Sequence, residues 1–330
     1  MTKHELSALI PGAVLCLSIA VVARFLGSHY GAPTMLFALL IGMSVHFLAA
    51  SPRFASGIAF ASKTLLRIGV ALLGLRLTLS DVSGLGLTTI LWVAAGTLVS
   101  IATGVLCCRA FRTDREFGLL TGGAVGICGA SAALAISATL PQNKAVERDT
   151  IMTVVSVTAL STIAMILYPL IASWLGLGAR ETGIFLGATI HDVAQVVGAG
   201  YSVSADTGDT ATLVKLFRVA LLVPIVLLVP FFITQQSESR QISGVNPPFP
   251  VFVVGFAALV ALNSLLVIPG LIRDSLISLS SLCLITAIAG LGVKTSLQSL
   301  FQFGFKPLGL ILLETIVLAL WILAGLFWVL

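Results

Sequence analysis

Charge is what this chain of 330 residues has least of. Only 9% of its residues are Asp, Glu, Lys or Arg, where soluble domains carry roughly 25%. That shortage, with 58% hydrophobic residues and a mean hydropathy of +1.12, excludes a soluble globule. Long polar stretches are missing as well, so no soluble domain is expected within the chain. The five cysteines, Cys16, Cys107, Cys108, Cys128 and Cys283, include no CxxC pair, which argues against a disulfide framework and a metal site. Most sit in apolar runs, where a free cysteine behaves as a small hydrophobe. There is no HExxH, no GxSxG and no paired-aspartate motif of the kind that holds magnesium diphosphates. The loops are too short for a nucleotide site. Neither an enzyme nor a self-contained ATP-driven pump is therefore expected, and no cofactor or metal. The net charge of +5 does not indicate nucleic acid, because the basic residues lie in short loops, where positive charge sets membrane topology.

What the chain has instead is apolar runs of about 20 residues, each long enough to span a bilayer. They predict an all-α polytopic membrane protein of eleven spans, at 7–26, 34–50, 57–79, 85–108, 116–140, 150–175, 182–204, 209–234, 249–268, 275–297 and 306–330. The apolar run from Leu6 to Ala23 is too long for a signal-peptide core and reads as the first span. Turn residues punctuate the series at Gly31-Ala32-Pro33, Ser51-Pro52, Pro141-Gln142-Asn143, Asn246-Pro247-Pro248 and Lys306-Pro307. Lys and Arg divide ten to six between the two sides, which favours a cytoplasmic N-terminus. The whole of 1–330 reads as one integral membrane domain, with a first half of about 7–175 and a second of about 182–330.

One span is anomalous. Gly122-Gly123-Ala124-Val125-Gly126-Ile127-Cys128-Gly129-Ala130-Ser131 holds four glycines at membrane depth, each costing a helix roughly 1 kcal/mol relative to alanine. Lipid cannot satisfy broken backbone, so such a stretch is either a helix-packing face or a binding site. Its neighbours bear on the choice. Glu116-Phe117-Gly118-Leu119-Leu120-Thr121-Gly122 is echoed by Glu181-Thr182-Gly183-Ile184-Phe185-Leu186-Gly187, and both lead into polar, small-residue segments. A second echo relates the stretch around Gly74-Leu75-Arg76 to Gly290-Leu291-Gly292-Val293-Lys294. Internal repeats of this kind accompany secondary transporters with broken helices.

Ionisable groups inside the spans add a second signal, since each is costly in lipid and by default functional. His191-Asp192 lies in Gly187-Ala188-Thr189-Ile190-His191-Asp192-Val193-Ala194-Gln195. Asp192 and Gln195, three apart, share a face of an intact helix, and an unperturbed histidine changes charge near neutral pH. The bland alternative is a loop in which the pair caps a helix. Lys215 can snorkel to the interface, whereas Arg218, roughly two and a half turns beyond Asp209, reaches deeper. Arg218 either pairs with Asp192 or holds an anion. Lys294, beside glycines, is a site candidate, and Arg76 reads as an interfacial anchor. Glu314 either neutralises a buried cation such as Lys294 or couples an ion, and His46 reads as a satisfied interfacial group. Helix N-termini carry partial positive charge and free N–H donors, so the break ending at Gly129-Ala130-Ser131 together with these cations suits an anion.

The pieces Gly126-Ile127-Cys128-Gly129-Ala130-Ser131-Ala132, Ala188-Thr189-Ile190-His191-Asp192-Val193-Ala194-Gln195-Val196, Lys215-Leu216-Phe217-Arg218-Val219 and Leu73-Gly74-Leu75-Arg76-Leu77 resemble the YeiH-type family of bacterial membrane proteins, described as sulfate exporters. The resemblance implies a fold like that of cation/proton antiporters and bile-acid-type sodium symporters, with inverted repeats and two discontinuous helices crossing at the midplane. It implies that one crossing helix surrounds Gly126 and the other Gly290–Ser296.

The expectation is then a secondary active transporter of a small anion such as sulfate, a sulfonate or a carboxylate, in the bacterial inner membrane. Gly126, Cys128, Gly129, Ala130, Ser131, Arg218 and Lys294 would bind the anion. His191, Asp192 and Gln195 would couple its movement to H+ or Na+. A homodimer is one assembly open to it. The alternatives are a passive anion channel and, more distantly, an intramembrane enzyme built on His191 and Asp192.

Overall fold

In a computed structural model, which describes residues 3–30, 33–141, 143–233, 251–266, 268–295 and 305–329, helices dominate and no strand occurs among the described residues. A chain this apolar has no other economical choice, since a helix satisfies its own backbone hydrogen bonds. Helix α1 (Lys3–Tyr30) precedes a short α2 (Thr34–Ser44). Helices α3 (Pro52–Phe60) and α4 (Leu66–Leu73) are joined by a π-turn over Ala61–Leu65 and make one span. After α5 (Leu79–Gly84), capped by Thr78 and Asp81, α6 (Leu87–Cys107) crosses alone. The next spans are α7 (Arg115–Gly126) with α8 (Ala130–Ser137), α9 (Lys144–Trp174), α10 (Ala179–Thr189) with α11 (Val193–Val203), and α12 (Ala205–Ala220) with α13 (Leu222–Ile233). Helices α14 (Val251–Leu265), α15 (Gly270–Lys294) and α16 (Phe305–Trp328) complete the chain. Each of the eleven expected spans corresponds to one helix or one such pair, and among the described residues seven helical stretches are long and apolar enough to cross a membrane unaided. Gly31, Ala32, Gln142, Asn246, Pro247, Pro248 and Ser296 lie outside the described residues.

The helices sort into two groups by packing. Helices α1–α4, α14 and α15 pack on one another, and α6–α12 with α16 form a second bundle. The groups meet where α11 lies against α2 and α15, and where α12 touches α14. Arg76, just past α4, reaches across the seam: its Nε is 3.2 Å from Asp209 Oδ1 on α12, and its guanidinium lies over the Tyr201 ring of α11. Tyr201 also donates its hydroxyl hydrogen to Asp209. Arg76 is thus half-buried and ion-paired rather than a simple interfacial anchor.

The expected second crossing helix requires correction. Helix α15 runs unbroken through Gly290 and Gly292 to Lys294. Its glycines are packing surfaces: a Cβ on Gly292 would lie 2.3 Å from the Leu39 carbonyl of α2, and one on Gly290 would meet Cys16 and Ala61. The interruption instead falls at Ile190–Asp192, between α10 and α11, with only α9 separating it from the first break. The echo of Glu116–Gly122 in Glu181–Gly187 marks it, because both segments are buried half-helices that run into a break.

Candidate functional site

The first break opens because Gly129 takes φ +64° and ψ −124°, a backbone that only glycine adopts without strain. The Gly129 N–H turns back to the Ala124 carbonyl at 2.8 Å, and its own carbonyl accepts from Ala133, starting α8. The second break opens at Ile190, extended at φ −65° and ψ 136°, and ends at Asp192, which caps α11. The two interruptions touch. A Cβ built on Gly129 would lie 3.6 Å from the His191 backbone and Cβ.

Two cations on α12 tie the breaks together. Each upstream half-helix ends with carbonyls that no residue of its own helix can satisfy, and those ends carry partial negative charge. Lys215 Nζ donates to the Ile127 carbonyl at 2.7 Å and the Ile190 carbonyl at 2.9 Å. Arg218 donates from all three nitrogens: Nε and Nη2 to Gly126, Nη2 to Val125, and Nη1 to Gly187 and Ile190, at 2.6–3.2 Å. Both side chains are fully buried. A cation at mid-membrane costs roughly 2.5–3.5 kcal/mol on insertion scales, but hydrogen bonds to a charged group contribute about 1.5–3 kcal/mol each. Arg218 therefore stabilises the crossing, and its donors are already engaged.

This geometry revises four expectations. Arg218 neither pairs with Asp192 nor presents free donors to an anion, because carbonyls take every one of its nitrogens. Lys215 does not snorkel; it points into the crossing. Gly126 is buried, and its carbonyl already receives Arg218 and the Thr97 hydroxyl. Gly129 has no spare N–H.

The downstream ends differ from each other. Helix α8 starts with no side-chain cap, which leaves the N–H groups of its first turn, from Ala130 onward, without helical partners. Ser131 is exposed there, with the buried Cys128 thiol beside its hydroxyl. In contrast, Asp192 Oδ1 accepts from Ala194 N at 2.8 Å, and the Asp192 N–H donates to Ser161 Oγ at 3.0 Å. Asp192 is half-buried and feels Lys215 and, across the seam, Lys294. Lys294 is exposed at the end of α15 and has Lys63 as its other charged neighbour. It faces the second break, not a break of its own.

His191, Asp192 and Gln195 do not converge. The buried His191 Nε2 lies 3.1 Å from Thr315 Oγ1 of α16, while Nδ1 has no hydrogen-bond partner. Gln195 donates Nε2 to Thr162 Oγ1 at 2.8 Å and to the Thr158 carbonyl at 3.3 Å, leaving Oε1 buried and unpartnered. Glu314, on α16, is fully buried; its Oε1 lies 2.7 Å from Thr121 Oγ1 of α7. Among the described residues no cation, Lys294 included, pairs with it. His46 Nδ1 lies 2.8 Å from the Val293 carbonyl.

The sequence reading passed over Thr158, Ser161 and Thr162 of α9, and Thr97 of α6. The α9 hydroxyls recur at three- and four-residue spacing, one face of a helix. In an apolar span that stripe was the available sign.

The family model described as conserved hypothetical protein 698 matches residues 11–311. The chain is 50% identical over 327 residues to the UPF0324 membrane protein of Chlorobaculum tepidum, covering 99% of this chain and 91% of that protein. It is 47% identical over 327 residues to the UPF0324 membrane protein TauZ of Paracoccus denitrificans, covering 98% and 97%. A UPF0324 membrane protein of Rhizobium meliloti is 46% identical over 331 residues, covering 99% and 96%. No solved structure matches. The resemblance to the YeiH-type family fits these matches.

Proposed function

We propose, starting from the fact that the chain belongs to the conserved hypothetical protein 698 family of UPF0324 membrane proteins, that it is a secondary active transporter of a small anion. The observation that carries this reading is the asymmetry at the two breaks. Their carbonyl ends are filled by Lys215 and Arg218, and one downstream N-terminus, that of α8, stands uncapped beside the exposed Ser131. Free N–H donors and the positive end of a helix dipole favour an oxyanion. Sulfate, a sulfonate or a carboxylate has suitable oxygens, with Cys128, Ala130 and Ser131 as its nearest neighbours and Lys294 adding charge across the seam.

Asp192, half-buried at the second break, is the group to hold the coupling ion, H+ or Na+, with His191 and Gln195 behind it. Movement of the bundle that carries both breaks against the group formed by α1–α4, α14 and α15 would expose the site to each side in turn. The setting is the inner membrane of a bacterium.

The test is flux in proteoliposomes with sulfate as first probe and a taken-up sulfonate or carboxylate as second. Wild type should show saturable, gradient-driven uptake and counter-exchange. Asp192→Asn should lose the gradient dependence while keeping exchange. Gradient-driven uptake by Asp192→Asn equal to wild type removes Asp192 from coupling, and conductance without saturation replaces the transporter by a passive anion channel.

A further inference from the structure

Glu314 stands apart from the site just described. It is fully buried on α16, which packs against α6, α7, α9 and α10. Of the groups near it, Thr121 comes from α7 and Gly104 from α6, and among the described residues no charged side chain acts on it. Among the described residues the titratable group it connects to is His191, reached through the neighbouring residue Thr315. Gly104 makes the space: a Cβ there would lie 2.5 Å from Glu314 Oε1 and 2.1 Å from the Gly118 carbonyl. The chain thus sets a carboxyl into a niche at membrane depth, with no countercharge among the described residues.

The hydrogen bonds around Thr121 decide what the carboxyl carries. The Thr121 hydroxyl has one hydrogen and three acceptors in reach, the Phe117 carbonyl at 3.0 Å, the Gly118 carbonyl at 3.4 Å and Glu314 Oε1 at 2.7 Å. A carboxylate can only accept, so the hydroxyl would turn from the helix carbonyls, which keep their own α7 N–H partners, and a full charge would sit in an apolar niche without a countercharge among the described residues. A carboxylic acid resolves both: Oε1–H donates to Thr121 Oγ1, and Thr121 donates to Phe117. Oε2, which has no partner, is then a bare carbonyl oxygen, far cheaper to bury than half of an anion.

The geometry points to Glu314 as a proton-binding site inside the bundle that carries both breaks. The proton sits on Oε1 and is shared with Thr121. Its place is informative, because α16 touches both interrupted spans: Glu314 meets α7 ahead of the first break, and Thr315 meets His191 at the second. Only the use of the proton in coupling rests on the transport reading.

Infrared spectroscopy of the purified protein in lipid at neutral pH tests the assignment without measuring flux, so the two fail separately. Wild type should show a carboxylic-acid C=O band that is lost in Glu314→Gln. Thr121→Val, which leaves the carboxyl in place but removes its hydroxyl partner, should shift that band to higher wavenumber. Wild-type and Glu314→Gln spectra that coincide overturn the assignment. Should Glu314→Gln fail to fold, a band that Thr121→Val leaves unmoved overturns it equally.

Discussion

At the first break the downstream helix begins at Gly129, with no side chain to cap it; at the second it begins at Asp192, whose carboxylate caps it from within. The upstream ends, by contrast, are treated alike, because Lys215 and Arg218 reach the carbonyls of both. The common part is what any interrupted helix in lipid requires, since open carbonyls at that depth cost several kcal/mol each. The differing part is where the two spans part in chemistry. An uncapped N-terminus prefers an anion, while a carboxylate that already fills its own cap prefers a proton or a cation. On the transport reading proposed above, a substrate and a coupling ion would occupy adjoining breaks without competing for the same donors.

The largest effect should come from the shared part. Arg218→Ala strands the carbonyls of Val125 and Gly187 and leaves that of Gly126 with the Thr97 hydroxyl alone, and removing one partner from such a buried charged network costs on the order of 4 kcal/mol. Size-exclusion profiles and thermal melting in detergent should show little folded protein, and Arg218→Lys should recover part of it. A stable Arg218→Ala that loses only anion binding would move Arg218 from the carbonyls to the substrate and erase the likeness between the upstream ends.

That likeness was only partly legible in the sequence. The spans followed from apolar length alone, and the first break from the density of glycine around Gly126. The echo of Glu116–Gly122 in Glu181–Gly187 contained the second break. Glycine, however, serves two purposes in lipid, and the Gly290–Gly292 pair serves packing, with Gly292 close against Leu39 and Gly42 of α2. Sequence cannot tell a glycine that bends the chain from one that admits a neighbour. The roles of Lys215 and Arg218 were hidden for a related reason. An inward cation suggests an anionic partner, and the partner here is backbone, which has no letter of its own. The pairing of Glu314 with Thr121 spans 193 positions and leaves no local trace.

A middle-sized effect should separate the two downstream ends. Gly129→Ala places a side chain at φ +64°, which costs about 1–3 kcal/mol in backbone strain. Space is not the obstacle, since the nearest atoms would be 3.6 Å away. The melting temperature should fall by several degrees while the Asp192 cap stays intact, so any sodium- or proton-dependent shift in melting should persist. A Gly129→Ala protein as stable as wild type would mean that the first break does not depend on this backbone.

The smallest expected change is the most specific to the anion. Ser131 is exposed at the start of α8, and replacing an exposed serine usually alters stability by less than about 0.5 kcal/mol. Its hydroxyl is one donor beside the free N–H groups of the first turn, and a single such hydrogen bond contributes about 0.5–1.5 kcal/mol. Ser131→Ala should therefore melt like wild type yet need roughly 3- to 10-fold more sulfate, or more of whichever sulfonate or carboxylate stabilises wild type, for the same thermal shift. The Asp192→Asn protein should keep the wild-type anion titration if the two breaks bind different ions. A titration that Ser131→Ala leaves unchanged and Asp192→Asn weakens would reverse the assignment, placing the anion at the capped helix and leaving the uncapped one as packing.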